Sequence, residues 1–154
     1  MRRALPFIAL SMLSALLPSC TNTCTLVGCG PAVTLLVGSE DAPLDPSVAQ
    51  YQVDLDLDGQ AVVVTCITGQ TQCDIEGNDG PFWVEALSYP DRLEIGINSG
   101  EELAPHLIEV YVLADDTQIH EGGISPTYSD EEINGEGCGV CRTADDGTFV
   151  LPGS

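Results

Sequence analysis

Two kinds of residue in this chain have the chemistry to bind or react: carboxylates at regular spacing, and seven cysteines. Asp54-x-Asp56-x-Asp58-Gly59 matches the first half of an EF-hand-type Ca²⁺ loop, in which alternate oxygen ligands precede a glycine turn. The twelfth position is Thr65 rather than a bidentate glutamate, and Leu55 and Leu57 are apolar where such loops are polar. A strand with one acidic face accounts for the same residues without a metal. Asp74, Glu76, Asn78 and Asp79 gather oxygen ligands in a second short stretch. Both stretches are candidate Ca²⁺ sites of partial match, and no other cofactor is expected.

Cys138-Gly139-Val140-Cys141 has the spacing of a redox pair. Such a pair needs a helix start to lower its thiol pKa, and Arg142 to Gly147 reads instead as a turn. Zinc held by Cys24, Cys29, Cys138 and Cys141 also fits the spacing, with disulfides as the competing use of the same thiols. His106 and His120 stand apart, without ligand spacing. The sequence contains no Gly-x-Ser-x-Gly elbow, no His-Glu-x-x-His and no phosphate-binding glycine loop. With no nucleophile, base and orienting group brought together, the chain is expected not to be an enzyme.

The elements that would position these residues read as short strands. Ala32 to Val37 is an apolar run. Ala49 to Asp58 alternates, with Tyr51, Val53, Leu55 and Leu57 on one face and Gln52, Asp54, Asp56 and Asp58 on the other. Asp58-Gly59 is a hairpin signal, and Ala61 to Ile67 is the β-branched return. Residues 74–81 read as a loop, Phe82 to Tyr89 as a strand, and Pro90-Asp91 as a turn into a strand from Arg92 to Ile97. A polar connection follows, with a short helical turn over 101–104. Leu107 to Ala114 and Thr117 to Glu121 are two strands turned by Asp115-Asp116. Residues 122–142 look irregular and glycine-rich, and Asp145-Asp146-Gly147 reads as the turn of a final hairpin. Trp83 is expected in the core, with Phe82 as the alternative on the opposite face. About seven to nine short strands with almost no helix point to an all-β, antiparallel sandwich, immunoglobulin-like or transthyretin-like in general shape.

The N-terminus holds the remaining reactive thiol. Arg2 and Arg3 form a basic start, and Ala4 to Leu17 is uncharged and mostly apolar. That length suits an export signal and falls short of the roughly 20 residues that span a bilayer. The segment closes with Leu17-Pro18-Ser19-Cys20. This arrangement resembles the lipobox of bacterial lipoproteins, where the signal is cut before a cysteine that then carries lipid. The resemblance implies removal of residues 1–19 and a multiply acylated Cys20, since one acyl chain alone anchors only marginally. Cleavage by ordinary signal peptidase and an uncleaved anchor are the alternatives. Thr21 stands where aspartate often marks inner-membrane retention in enteric bacteria, which favours the outer membrane over the inner.

An odd number of cysteines is awkward in an exported chain. Assigning Cys20 to lipid leaves six, enough for three disulfides in an oxidising compartment. Cys66 and Cys73 flank a turn-like segment and are expected to pair. Cys24 and Cys29 then face Cys138 and Cys141. A bridge between those pairs would close a loop of over 100 residues, worth roughly 4.7 kcal/mol by loop entropy, against about 2.5 for the Cys66 loop. The rival arrangement, Cys24–Cys29 with Cys138–Cys141, leaves both ends free. The long-range staple is the expectation.

Removing residues 1–19 leaves 135 residues, one domain's worth, with residues 20–31 as a cysteine-rich lead to a body over 32–154. It also takes two of the four basic residues, so two remain against 24 acidic ones, a formal charge of −22. Such a field excludes nucleic acid, whose binding relies on Lys and Arg at phosphates, and repels anionic head groups.

The lipobox region, Cys24-Thr25-Leu26-Val27-Gly28-Cys29 and Cys138-x-x-Cys141-Arg142 are together similar to a group of small bacterial lipoproteins, including ones from myxobacteria, with β-sandwich bodies. These motifs cover only the two ends of the chain, and the resemblance implies location and fold class but no activity. The expected function is a non-enzymatic, lipid-anchored interaction module of the cell envelope, with an envelope protein or glycan as partner. A Ca²⁺-dependent adhesion or carbohydrate-binding module is the first alternative, and an envelope hydrolase the second.

Overall fold

The alternation over residues 50–57 becomes strand β2, Gln50–Leu57, and it sorts side chains as the period-two rule requires. Tyr51, Val53, Leu55 and Leu57 are buried, while Asp54 and Asp56 lie on the outer face. Asp58 and Gly59 both take positive φ (52° and 93°), the primed turn that matches strand twist, and lead into β3, Gln60–Ile67.

The computed structural model describes residues 29–99, 104–132 and 140–153, and among them the chain is all β, with eleven strands and no helix. The other nine strands are β1 (Val33–Val37), β4 (Asp74–Glu76), β5 (Phe82–Ser88), β6 (Leu93–Ser99), β7 (Ile108–Ala114), β8 (Thr117–Ile124), β9 (Tyr128–Glu131), β10 (Cys141–Ala144) and β11 (Thr148–Leu151). One sheet runs β11-β1-β6-β5, another runs β4-β3-β2-β7-β8, and β9 pairs with β10. The inner faces of the two larger sheets share one core, in which Val33, Leu35, Ile95 and Ile97 meet Val53, Leu55, Val64 and Val110.

Several expectations are corrected. The loop assigned to 74–81 contains β4, three residues paired with Val63, Val64 and Thr65 of β3. The irregular stretch 122–142 contains the end of β8 and all of β9, which the Arg142 guanidinium clamps by bonding Asp130 at 2.7 and 2.9 Å. The final hairpin is a turn but not a hairpin. The two strands it joins part company, β10 pairing with β9 and β11 running parallel to β1. That parallel pair is an exception in an otherwise antiparallel set. Trp83 is 58% exposed, whereas Phe82 is 6% exposed and takes the core position. Only Ala104 of the expected helical turn lies within the described residues.

Two disulfides fasten the body. Cys66 pairs with Cys73 across 7 positions of sequence, and Cys29 with Cys141 across 112, with Cα–Cα distances of 4.4 and 5.4 Å. The second bridge joins the N-terminal cysteine group to the C-terminal one. Cys20, Cys24 and Cys138 lie outside the described residues, as does the segment 1–19.

Strand register gives the sandwich two distinct ends. Residue 29, the start of β1, the Asp58-Gly59 turn and the starts of β5, β7 and β11 share the basal end. The connection after β1, the β3–β4, β5–β6 and β7–β8 turns, and residue 153 share the apical end. Strand rise over the eight residues of β2 separates the ends by about 25 Å.

Candidate functional site

The apical turns enclose a cleft of about 260 Å³ between the two sheets. Its floor is Tyr51 and Cys66 from one sheet and Leu93 from the other. Leu44 and Pro46 come from the connection after β1, Gly69 to Thr71 from the β3–β4 turn, and Tyr89 and Pro90 from the β5–β6 turn. Each turn is held in place by long-range bonds. Leu44 N–H donates to Asp91 O at 3.0 Å, and Ser88 N–H to Thr71 O at 3.1 Å. Gly38, at φ 82°, lets the chain pass so close that a Cβ there would sit 2.8 Å from Asp91 O. The Asp115 carboxylate of the β7–β8 turn accepts the N–H groups of Ala49 and Gln50, each at 3.0 Å, and fixes the start of β2. The Cys66–Cys73 bridge ties down one wall.

Two polar side chains of the cleft, Tyr51 and Asp45, are held by the fold. The buried Tyr51 hydroxyl accepts Asp45 N–H at 2.8 Å and lies 3.3 Å from the carbonyls of Asp45 and Gly153, to which it donates. Burial pushes its pKa above the ordinary tyrosine value. The Asp45 carboxylate accepts from Ser47 Oγ at 2.7 Å and Ser47 N–H at 2.8 Å, and these bonds hold it below the usual range. At the rim, the Arg92 guanidinium lies 4.5 Å from the Tyr89 ring centroid and 3.2 Å from Asp91. The cleft therefore offers an apolar floor within a polar rim, a lining suited to an uncharged or apolar group.

The structure separates the carboxylates singled out from sequence. Asp54 and Asp56 occupy the outer face of β2. Asp54 accepts from Gln52 Nε2 at 2.8 Å, and Asp56 accepts the N–H of Gly59. Asp58 turns away from them, and its two oxygens accept His106 N–H at 2.8 Å and Leu107 N–H at 2.9 Å. Those bonds hold its pKa below the ordinary value. Asp74 and Glu76 lie exposed on β4. Asn78 accepts Val84 N–H at 2.7 Å and donates to Val84 O at 2.8 Å, so it acts as a backbone partner. Among the described residues no group of three or more His, Cys, Asp or Glu side chains converges as a metal site. His106 is exposed, and His120 borders a groove between β8 and β11. The cleft itself had no sequence signal, because its walls come from segments far apart in the chain.

Fold and site together define a disulfide-stapled, all-β sandwich with a loop-built cleft at one end. Comparison with protein-family models, curated proteins and solved structures gave no match.

Proposed function

We propose that the protein is an exported, lipid-anchored interaction module of the cell envelope, non-enzymatic, which presents its apical cleft away from the membrane. The observation that carries this reading is the placement of residue 29 and the cleft at opposite ends of the sandwich. A chain tethered through Cys20 would have its attachment at the base and its binding surface at the far end. Two further features support it. The disulfides suit an oxidising compartment, and two titratable groups of the cleft, Tyr51 and Asp45, are tied up in structural hydrogen bonds. The acidic body is kept off anionic head groups by its own charge.

Intact mass of membrane-extracted protein, with and without reduction, tests the reading. The expected mass is that of residues 20–154 plus acyl groups, gaining six hydrogens on reduction. A mass retaining residues 1–19, or an unmodified Cys20, overturns the anchoring. The Cys20→Ser variant is expected to leave the membrane fraction.

A further inference from the structure

Trp83 is the chain's only tryptophan, and it stands 58% exposed on the outer face of edge strand β5. Leu87, 47% exposed, follows four residues later on the same face, about 13 Å along the strand. An open groove of about 440 Å³ runs beside them along the seam between β5 and β4, with Glu85, Gln72 and Asp74 among its polar walls. A large indole facing water on a rigid strand is a feature that asks for a partner.

The groove excludes two kinds of partner. An extended peptide adding a strand needs free N–H and C=O groups on β5. Gln60 already accepts Phe82 N–H at 3.0 Å and donates to Phe82 O at 2.9 Å. Asn78 does the same at Val84, and Ser88 N–H is bonded to Thr71. An anionic ligand meets the carboxylates of Glu85 and Asp74 and no lysine or arginine among the groove residues. What suits the groove is neutral and rich in hydroxyls. A sugar ring lays its partly positive C–H face on the electron-rich face of an indole, while carboxylates and amides bond its hydroxyls.

We propose that the β4–β5 groove binds a neutral saccharide chain, with Trp83 as the stacking platform and Glu85, Asp74 and Gln72 as hydroxyl partners. The assignment names a partner class for the interaction module, but it needs neither the lipid nor the apical cleft. Because Trp83 is the only indole, its emission reports on the groove alone. The full mature chain in detergent is titrated with cellohexaose, maltohexaose and tetra-N-acetylchitotetraose, and with oligogalacturonate as the anionic counterpart. At least one neutral oligomer is expected to shift the emission saturably. By calorimetry, Trp83→Ala is expected to bind it about tenfold more weakly or worse, the worth of stacking on an aromatic, with its melting temperature kept. Glu85→Gln, a second exposed change, is expected to weaken binding less. If no neutral oligomer moves the emission, if oligogalacturonate binds best, or if Trp83→Ala binds as tightly as the parent, the assignment fails. The mass measurement on Cys20 is unaffected by any of these results.

Discussion

Gln60 and Asn78 each set a side-chain amide against the backbone of β5, as a neighbouring strand would. Removing either amide strands a partly buried N–H and C=O. Asn78→Ala is therefore expected to cost about 1–3 kcal/mol in urea unfolding, and to make the protein prone to edge-to-edge association, read by light scattering. Tyr51→Phe keeps the core filled but leaves Asp45 N–H without its acceptor, and about 1 kcal/mol is expected to be lost. Asp58 gives a pH signature. Its folded pKa is depressed by the His106 and Leu107 N–H groups, so its contribution is fully present above the unfolded value of about 4 and fades as pH falls through the folded one. Asp58→Asn is expected to flatten the fall in stability below about pH 4, measured as denaturant midpoint against pH. The alternation made the outward face of β2 readable, but nothing local says that Asp58 will reach residues 48 and 49 positions away. Trp83 and Phe82 show the same limit, since adjacent aromatics fit either phase of a strand and packing alone chose Phe82.

Most strands that were readable in sequence have one buried face, β8 being read instead from the Asp115-Asp116 turn before it. β2, β3, β6 and β7 each carry three or more apolar residues at period two. β4 (Asp-Ile-Glu) and β9 (Tyr-Ser-Asp-Glu) are short, polar and mostly exposed, and they exist because β3 and β10 offer partners. The parallel pairing of β1 with β11 has no local signal either, because it joins segments at opposite ends of the chain. The pairing of Cys66 with Cys73 was readable from proximity, and the link between the two terminal cysteine groups from loop entropy. The bridges are expected to differ in weight. Replacing Cys29 and Cys141 by serine should cost more than replacing Cys66 and Cys73, roughly 4–5 against 2–3 kcal/mol if loop entropy dominates, as read by urea midpoints under oxidising conditions.

The full sequence carries 24 acidic side chains against four basic ones. Self-repulsion of this size opposes compactness and is screened by salt. Raising NaCl from 10 mM to 0.5 M, which shortens the screening length from about 30 to about 4 Å, is expected to raise the melting temperature. A flat response would mean that the carboxylates are spaced widely enough not to matter.

The bridge between Cys29 and Cys141 also decides how the fold bears a pull. Tension on the N-terminal segment arrives at Cys29 before β1 and divides there, part passing through sulfur into β10. The remainder acts along β1, whose ladders to β6 and β11 must slide rather than unzip. Stretched from its N-terminus, an oxidised molecule should therefore yield at a higher force than a reduced one, a contrast that single-molecule pulling can register.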